Sequence, residues 1–412
     1  MNNLARKIQR TYLTLMFGNT LAASFIWGIN TLFLLDAGLS NFEAFAANAF
    51  FTVGMVLFEI PTGIIADTWG RRASYLFGTI TLSVTTGMYY LLWLTEAPFI
   101  LWALVSVLLG LGFTFFSGAV EAWLVDAMQY AKYDGGMENV FGKGQMVSGV
   151  AMLSGSVAGG FIAQASNLGV PFIVRAVVLV LLFAFAFYVM RDIGFTPERG
   201  ERPIKAMKTL FNASLEHGLK NPPVRWVMFA APFGASVGFY AFYALQPYLL
   251  EIYGNEQAYG IAGLAAAIVA GAQIAGGLLA GKIRGLFKRR TTALIFANLI
   301  TVIVLICLGL NEYFIVAILL MSIWGLLFAA AMPIRQAYLN ALIPSRQRAT
   351  VLSFDSLMGN TGGIVVQPAL GKVADSYSYG TSFIVGGCIQ VLALPMLLKA
   401  RSLHRPEDKQ TT

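Results

Sequence analysis

Twelve long apolar runs, separated by short polar segments, leave this chain few folds. A hydrocarbon core about 30 Å thick is crossed by roughly 20 helical residues. Runs of that order occupy residues 11–36, 43–67, 73–95, 98–127, 142–165 and 171–190, and then 223–250, 257–281, 291–310, 313–341, 350–373 and 381–400. Closing so many runs into a water-soluble core would need far more polar surface than is present. Hydrophobic residues make up 57% of the 412 and charged residues only 12%, against about a quarter charged in soluble domains. The expected class is an all-α integral membrane protein with twelve transmembrane helices.

The placement of charge sets the expected orientation. The formal charge is +8, but the cations do not form a nucleic-acid-binding patch. With the N-terminus inside, the lysines and arginines fall almost wholly on the inner side, and only Arg175 and Lys372 of the 28 lie toward the other. The opposite loops are short and carry Asp36, Glu43, Glu96, Glu251, Glu256 and Glu312. The positive-inside rule then puts both termini in the cytoplasm of a multi-pass plasma-membrane protein. The basic start MNNLARKIQR leads into a run of spanning length without a small-residue cleavage site, which reads as a retained first helix. Cys307 and Cys388 sit inside apolar runs and imply no disulfide framework, and His217 and His404 lie outside the runs. No metal or cofactor is expected.

The polar stretch after residue 190 divides the chain nearly in half. The expected organisation is a six-helix bundle over 1–190, a cytoplasmic linker over 191–222, a second six-helix bundle over 223–400 and a cytoplasmic tail over 401–412. The halves carry a faint repeat. Gly63-Ile64-Ile65-Ala66-Asp67 corresponds to Gly277-Leu278-Leu279-Ala280-Gly281, a separation of 214 residues (277 − 63). Glu121 and Arg335, near the inner ends of the fourth and tenth segments, are also 214 apart (335 − 121). Two matches at one offset suggest duplicated halves with a substrate site near the bilayer midplane.

The second segment and its loop read GIIADTWGRR, Gly63 to Arg72. This resembles the loop signature of the major facilitator superfamily: glycine, three variable residues, aspartate, a basic residue, a variable residue, glycine, arginine and a basic residue. Thr68 stands where the first basic residue is usual. The resemblance implies a gate at the inner side built from Gly63, Asp67, Gly70, Arg71 and Arg72. In it, Asp67 faces the N-terminal end of the eleventh helix, and Arg71 reaches Asp126 at the end of the fourth. Gly63 should let the second helix approach a neighbour closely. The plainer reading keeps Arg71 and Arg72 as topology anchors.

Gly155-Ser156-Val157-Ala158-Gly159-Gly160 is similar to an element of the family's exporters, with Ser156 in place of proline; small-residue packing accounts for it equally. Ser106 occupies roughly the place of an arginine common in such exporters. Phe58-Glu59-Ile60-Pro61-Thr62-Gly63 and the run from Ser117 to Trp123 resemble the bacterial drug-efflux branch.

A charge at mid-bilayer costs roughly 2.5–3.5 kcal/mol on insertion scales, so Glu59 and Glu121 each need a reason. Both are candidates for proton coupling, although Glu59 could instead be a structural acid beside Pro61. Glu121 continues a small, polar stripe through Gly110, Thr114 and Gly118, and Arg335, its repeat counterpart, is its expected ion-pair partner in the gate. Asn19, Trp27 and Asn30 on the first segment, Thr114 on the fourth, and Tyr240, Tyr243 and Gln246 on the seventh are the candidate substrate-cavity residues.

The resemblance implies a monomeric secondary transporter in a bacterial inner membrane. It would expel a small amphipathic solute, a drug or antibiotic among them, by proton antiport. Import or uniport of a sugar or other metabolite is the alternative. Gly142-Lys143-Gly144 is too short to be a phosphate loop, and no nucleophile–base set suggests an enzyme.

Overall fold

Hydroxyl side chains answer their own backbone in α4 (Arg71–Leu94). Thr79, Thr85 and Thr86 donate to the carbonyls of Tyr75, Thr81 and Leu82 at 3.1, 2.7 and 2.6 Å. A helix rich in serine and threonine thereby reaches spanning length with its polar groups satisfied internally, as a bilayer demands.

The computed structural model describes residues 2–116, 118–197, 218–343 and 348–408, the side chains of 348–350 aside. Among the described residues the chain is all-α. Around α4 lie α1 (Asn3–Trp27), α2 (Asn30–Asp36), α3 (Asn41–Trp69), α5 (Phe99–Thr114), α6 (Ala119–Tyr130), α7 (Met137–Ala165) and α8 (Val170–Val189). Then follow α9 (Pro222–Tyr253), α10 (Tyr259–Gly285), α11 (Arg290–Gly309), α12 (Phe314–Leu342), α13 (Arg348–Ser376), α14 (Tyr379–Val391) and α15 (Ala393–Ser402), closed by a 3-10 turn at Pro406–Asp408.

Nine helical spans among the described residues are long and apolar enough to cross a membrane, or ten if the bent pair α1–α2 is one span. The remaining two of the twelve expected, α4 and α13, have 24 and 29 residues but more polar compositions. Large apolar side chains such as Leu91, Ile100, Leu181 and Ile315 are 59–65% exposed. That is the inverse of a soluble protein's surface, and lipid is the solvent it suits.

Three expected helices are broken, the last of them at Leu392 between α14 and α15. The first segment bends by 46° between α1 and α2. Gly28 sits at that break, where an added Cβ would lie 2.9 Å from the Cα of Gly263. The fourth divides into α5 and α6, with Gly118 at φ +69° capping α6. The polar stripe expected from Gly110 to Glu121 therefore does not run along one continuous helix. Gly110 is spent on contact instead: its Cβ would fall 2.3 Å from the carbonyl oxygen of Phe51.

The chain divides into two compact units. The first comprises residues 1–38, 50–206 and 258–267; the second comprises 39–49, 207–257 and 268–412. The exchanged pieces are the first turns of α3 and of α10. Most of the segment expected to link the bundles, 191–222, lies outside the described residues.

In the first unit Tyr12, Leu15, Tyr75, Trp123, Leu124 and Ala186 form a buried cluster at the basic end. Phe33 stacks on Phe172 with ring centroids 3.8 Å apart nearer the other end. Glycines draw α7 onto α1: a Cβ at Gly159 would lie 1.9 Å from the carbonyl oxygen of Phe25. The stretch from Gly155 to Gly160 is thus a packing face. In the second unit Val227, Met228, Tyr338, Leu339 and Val351 make the corresponding cluster.

Candidate functional site

The basic end of the first unit holds most of the signature residues. Gly70 joins α3 to α4 at φ +105° and ψ 156°, a backbone region that favours glycine. The turn sets Asp67, on the last turns of α3, against Arg71, the first residue of α4, with Nη1 and Oδ1 2.5 Å apart. Arg71 Nε also lies 4.0 Å from Asp126 Oδ2 on α6, at the outer limit of an ion pair. Its guanidinium stands 5.8 Å from the ring centroid of Phe195. Asp67, Arg71 and Asp126 are therefore gathered in one cluster within this unit.

A residue absent from the sequence-level candidates completes it. Asp192, just beyond α8, accepts the backbone N–H of Arg72 through Oδ1 at 2.9 Å. Its Oδ2 occupies the space a side chain at position 70 would need, 2.2 Å from an added Cβ. Asp192 thus caps the positive end of α4, where an anion is favoured. Burial pushes its carboxyl above the usual range, opposed in part by the Arg72 N–H and the charges of Arg72 and Arg71. Arg72 turns outward from this cap, donating to the carbonyl of Phe187 at 2.6 Å and lying 5.1 Å from that ring's centroid. Trp123 holds the adjoining strand of chain through Nε1 to the Arg191 carbonyl, 2.8 Å.

Other expected contacts fall differently. No described atom lies within 4 Å of a Cβ built on Gly63, so this glycine opens on space rather than on a packed neighbour. The close approach of α3 occurs higher, at Gly54, whose Cβ would be 2.2 Å from the carbonyl oxygen of Val107. The N-terminal end of α13, expected to face Asp67, involves residues 344–350, whose side chains are outside those described.

Arg335 forms a two-pronged pair with Asp355 of α13, at 2.5 and 2.6 Å, and Nη2 also donates to the Val227 carbonyl at 3.3 Å. Within its own unit, the acid that Arg335 meets is thus Asp355, twenty residues along the chain. The repeat alignment pointed away from it, because Asp355 has no acidic counterpart at the same offset in the first half: position 141 is Phe141. Glu121 sits in the first turn of α6, where the break in the helix supplies an N-terminus beside its carboxylate.

The second unit has its own caps. Asp408 accepts the N–H and hydroxyl of Thr291 at the start of α11, at 2.8 and 2.6 Å. At the opposite end, Asp375 accepts the N–H groups of Asn41 and Phe42, both at 2.9 Å, in the first turn of α3. Neither acid stands out in the sequence, since each is separated by more than a hundred residues from the amides it caps.

The cavity candidates divide by burial. Tyr240 is fully buried among Phe45, Phe383 and Ser382, to whose hydroxyl its own is hydrogen-bonded. Gln246, Thr114 and Asn30 are buried as well. Asn19, which accepts from the Tyr75 hydroxyl at 2.9 Å, and Trp27 and Tyr243 remain partly exposed. Ser106 is a packing hydroxyl, 2.6 Å from that of Tyr89.

Glu59 differs from all of these. It lies well inside α3, ten residues from the helix's basic end, and it is exposed. Phe50 and Leu57, 37% and 55% exposed, are seven residues apart and share a face. Glu59 is two residues beyond Leu57, about 200° around the helix, on the opposite side. Gly63, one turn on, is the glycine that opens on space.

The major facilitator superfamily model matches residues 12–326 and 233–412. An uncharacterized MFS-type transporter of Methanocaldococcus jannaschii is 21% identical over 212 residues, covering 52% of this chain and 53% of the relative. The match thus spans about half of that relative's length. Among solved structures, the nucleoside transporter NupG is similar with a TM-score of 0.76 at 14% identity, covering 97% of this chain and 99% of its own. A bacterial homolog of the human lysosomal transporter Spinster gives 0.73 at 16%, covering 100% and 99%. A D-xylose–proton symporter gives 0.69 at 18%, covering 95% and 96%. At these identities the structures establish the fold. The chain belongs to the major facilitator superfamily.

Proposed function

We propose that this protein is a proton-coupled secondary transporter that expels a small amphipathic organic solute by alternating access. The observation that carries this reading is Glu59, an accessible carboxylate deep within a spanning helix and on the face opposite exposed Phe50 and Leu57. A charge turned to lipid there would cost roughly 2.5–3.5 kcal/mol, so the face bearing Glu59 is the one that meets water and substrate. A carboxylate in that position can take a proton on one side of the membrane and release it on the other. Glu121, at the break between α5 and α6, is the second acid assigned to this role. Asn19, Trp27 and Tyr243 supply partly exposed polar and aromatic surface suited to an amphipathic ligand.

In this reading the Asp67–Arg71–Asp126 cluster is the inner gate, with Gly70 and Asp192 holding its geometry. The protein sits in the plasma membrane as a monomer with both termini in the cytoplasm, as its lysine and arginine distribution favours. One charge moved down 100 mV yields about 2.3 kcal/mol, enough for tenfold accumulation at about 1.4 kcal/mol.

Import of a sugar or another metabolite is the second reading. It is favoured by Ser106, which packs against Tyr89 where exporters of the resembling branch often carry an arginine. Proteoliposomes with an entrapped pH dye decide between them, using panels of amphipathic drugs, nucleosides and sugars. Export by antiport predicts proton movement opposite to solute, lost in Glu59→Gln with solute binding kept. Protons moving with solute select the importer. Solute flux without proton movement removes proton coupling from the proposal.

A further inference from the structure

At the basic end of the second unit, the α10–α11 turn and the end of α15 line an open cavity of about 580 Å³. Lys288 and Arg289 line it from the turn, and Arg401 and His404 from the far wall. No carboxylate is among its lining residues. Three guanidinium or ammonium groups along one lining repel one another and favour an anion between them, while the nearby Asp408 is taken up by Thr291.

The apolar residues at the same place narrow the kind of anion. Phe287 and Leu398 line the cavity with the cations, and Leu398 is 50% exposed. Leu286, also on the wall, is 79% exposed. A free inorganic anion would satisfy the charges and leave these side chains uncovered. An amphipathic anion covers both.

The walls are held in place. Arg284 closes the turn by donating to the Phe287 carbonyl at 2.5 Å. Arg290 Nη1 donates to the Glu407 carbonyl at 2.8 Å, and Asp408 caps Thr291, so the tail straps the turn to the segment after α15. His404 donates from Nδ1 to the Ser402 carbonyl at 2.6 Å, which leaves Nε2 available to a ligand. The recess is therefore built by contacts that do not use its cations.

We propose that this cavity binds the headgroup of an anionic phospholipid. The phosphodiester sits among Lys288, Arg289 and Arg401, and the acyl chains run over Leu286 and Leu398 toward the apolar belt. Juxtamembrane lysines and arginines attract anionic lipid in this way. The bound lipid would tie the α10–α11 turn to α15 and stabilise the second unit. This site does not depend on the transport reading.

The test uses full-length protein stripped of lipid in a non-ionic detergent, with phosphatidylglycerol, phosphatidylcholine or inorganic phosphate added. Retained adducts are read by native mass spectrometry and stability by thermal unfolding. The expected result is a preference of about tenfold or more for phosphatidylglycerol over phosphatidylcholine, with a raised unfolding midpoint. The Lys288→Gln/Arg289→Gln/Arg401→Gln variant should lose that preference. Arg6→Gln/Lys7→Gln/Arg10→Gln, which removes three exposed cations elsewhere, should keep it. Equal retention of both lipids by the wild type overturns the proposal even if the cavity variant fails to fold. So does equal loss in the two triple variants, or stabilisation by phosphate matching that by phosphatidylglycerol.

Discussion

Asp408 grips Thr291 twice, accepting both its backbone N–H and its hydroxyl, and is itself only 1% exposed. The first unit repeats the device, with Asp192 on the N–H of Arg72. The two acids are 216 residues apart (408 − 192) and the two capped residues 219 apart (291 − 72). Each acid lies beyond the last helix of its half, and each caps a helix at the basic end. Replacing a capping side chain costs about 0.5–2 kcal/mol. Asp408→Ala should fall at the upper end of that range because the lost charge leaves the Thr291 donors buried. Thermal unfolding in detergent measures it, and a midpoint unchanged from wild type would mean the tail does not hold α11.

Gly70 makes a second prediction. Its φ of +105° costs any other residue of order 1–3 kcal/mol, and an added methyl also meets the Asp192 carboxylate at 2.2 Å. Gly70→Ala should therefore destabilise the protein through two causes. Asp192→Ala removes one of them. In a double-mutant cycle the cost of Gly70→Ala should be smaller when Asp192 is already alanine. Additive effects would show that carboxylate and turn are not packed together.

Much of this arrangement was legible in local pattern. The turn at Gly70 brings Asp67 and Arg71 together within four residues, whereas Asp126, 54 residues beyond Arg72 (126 − 72), was offered by the family resemblance. The apolar runs gave the helices, and family membership follows independently from the matching model. Asp192, Asp355, Asp375 and Asp408 were hidden for one physical reason. Each acts on a distant backbone amide or on a single cation, and capping leaves no spacing along the chain. The broken fourth helix was hidden as well, because Gly118 resembles any small residue on a packing face until its φ is seen. Repeat symmetry gave no hint of Asp355, because the matching position in the first half is Phe141.

The pair between Arg335 and Asp355 gives a third prediction. The Asp355 side chain is 7% exposed and that of Arg335 19%. Removing one partner of such a buried pair costs about 3–5 kcal/mol, since the other charge is left uncompensated. Asp355→Asn and Arg335→Gln should each lower the unfolding midpoint sharply, and the double variant should lose less than their sum. Additive losses in that cycle would mean that the pair does not hold α12 to α13.

The carboxyl of Asp192 supplies a dependence on pH. Burial raises its pKa above the ordinary carboxylate value, against the pull of Arg72 and Arg71. The folded chain therefore holds this proton more tightly than the unfolded chain does, and stability linked to it falls as pH rises. The contribution is fully present below the ordinary carboxylate range and is lost as pH climbs through that range to the raised value. Asp192→Asn keeps an acceptor for the Arg72 N–H but cannot ionise. Compared at a series of pH values, the wild type should lose ground to Asp192→Asn as pH increases through this window, and the difference should then level off. The opposite slope would mean that the two arginines outweigh burial, with Asp192 acting chiefly as their counter-ion.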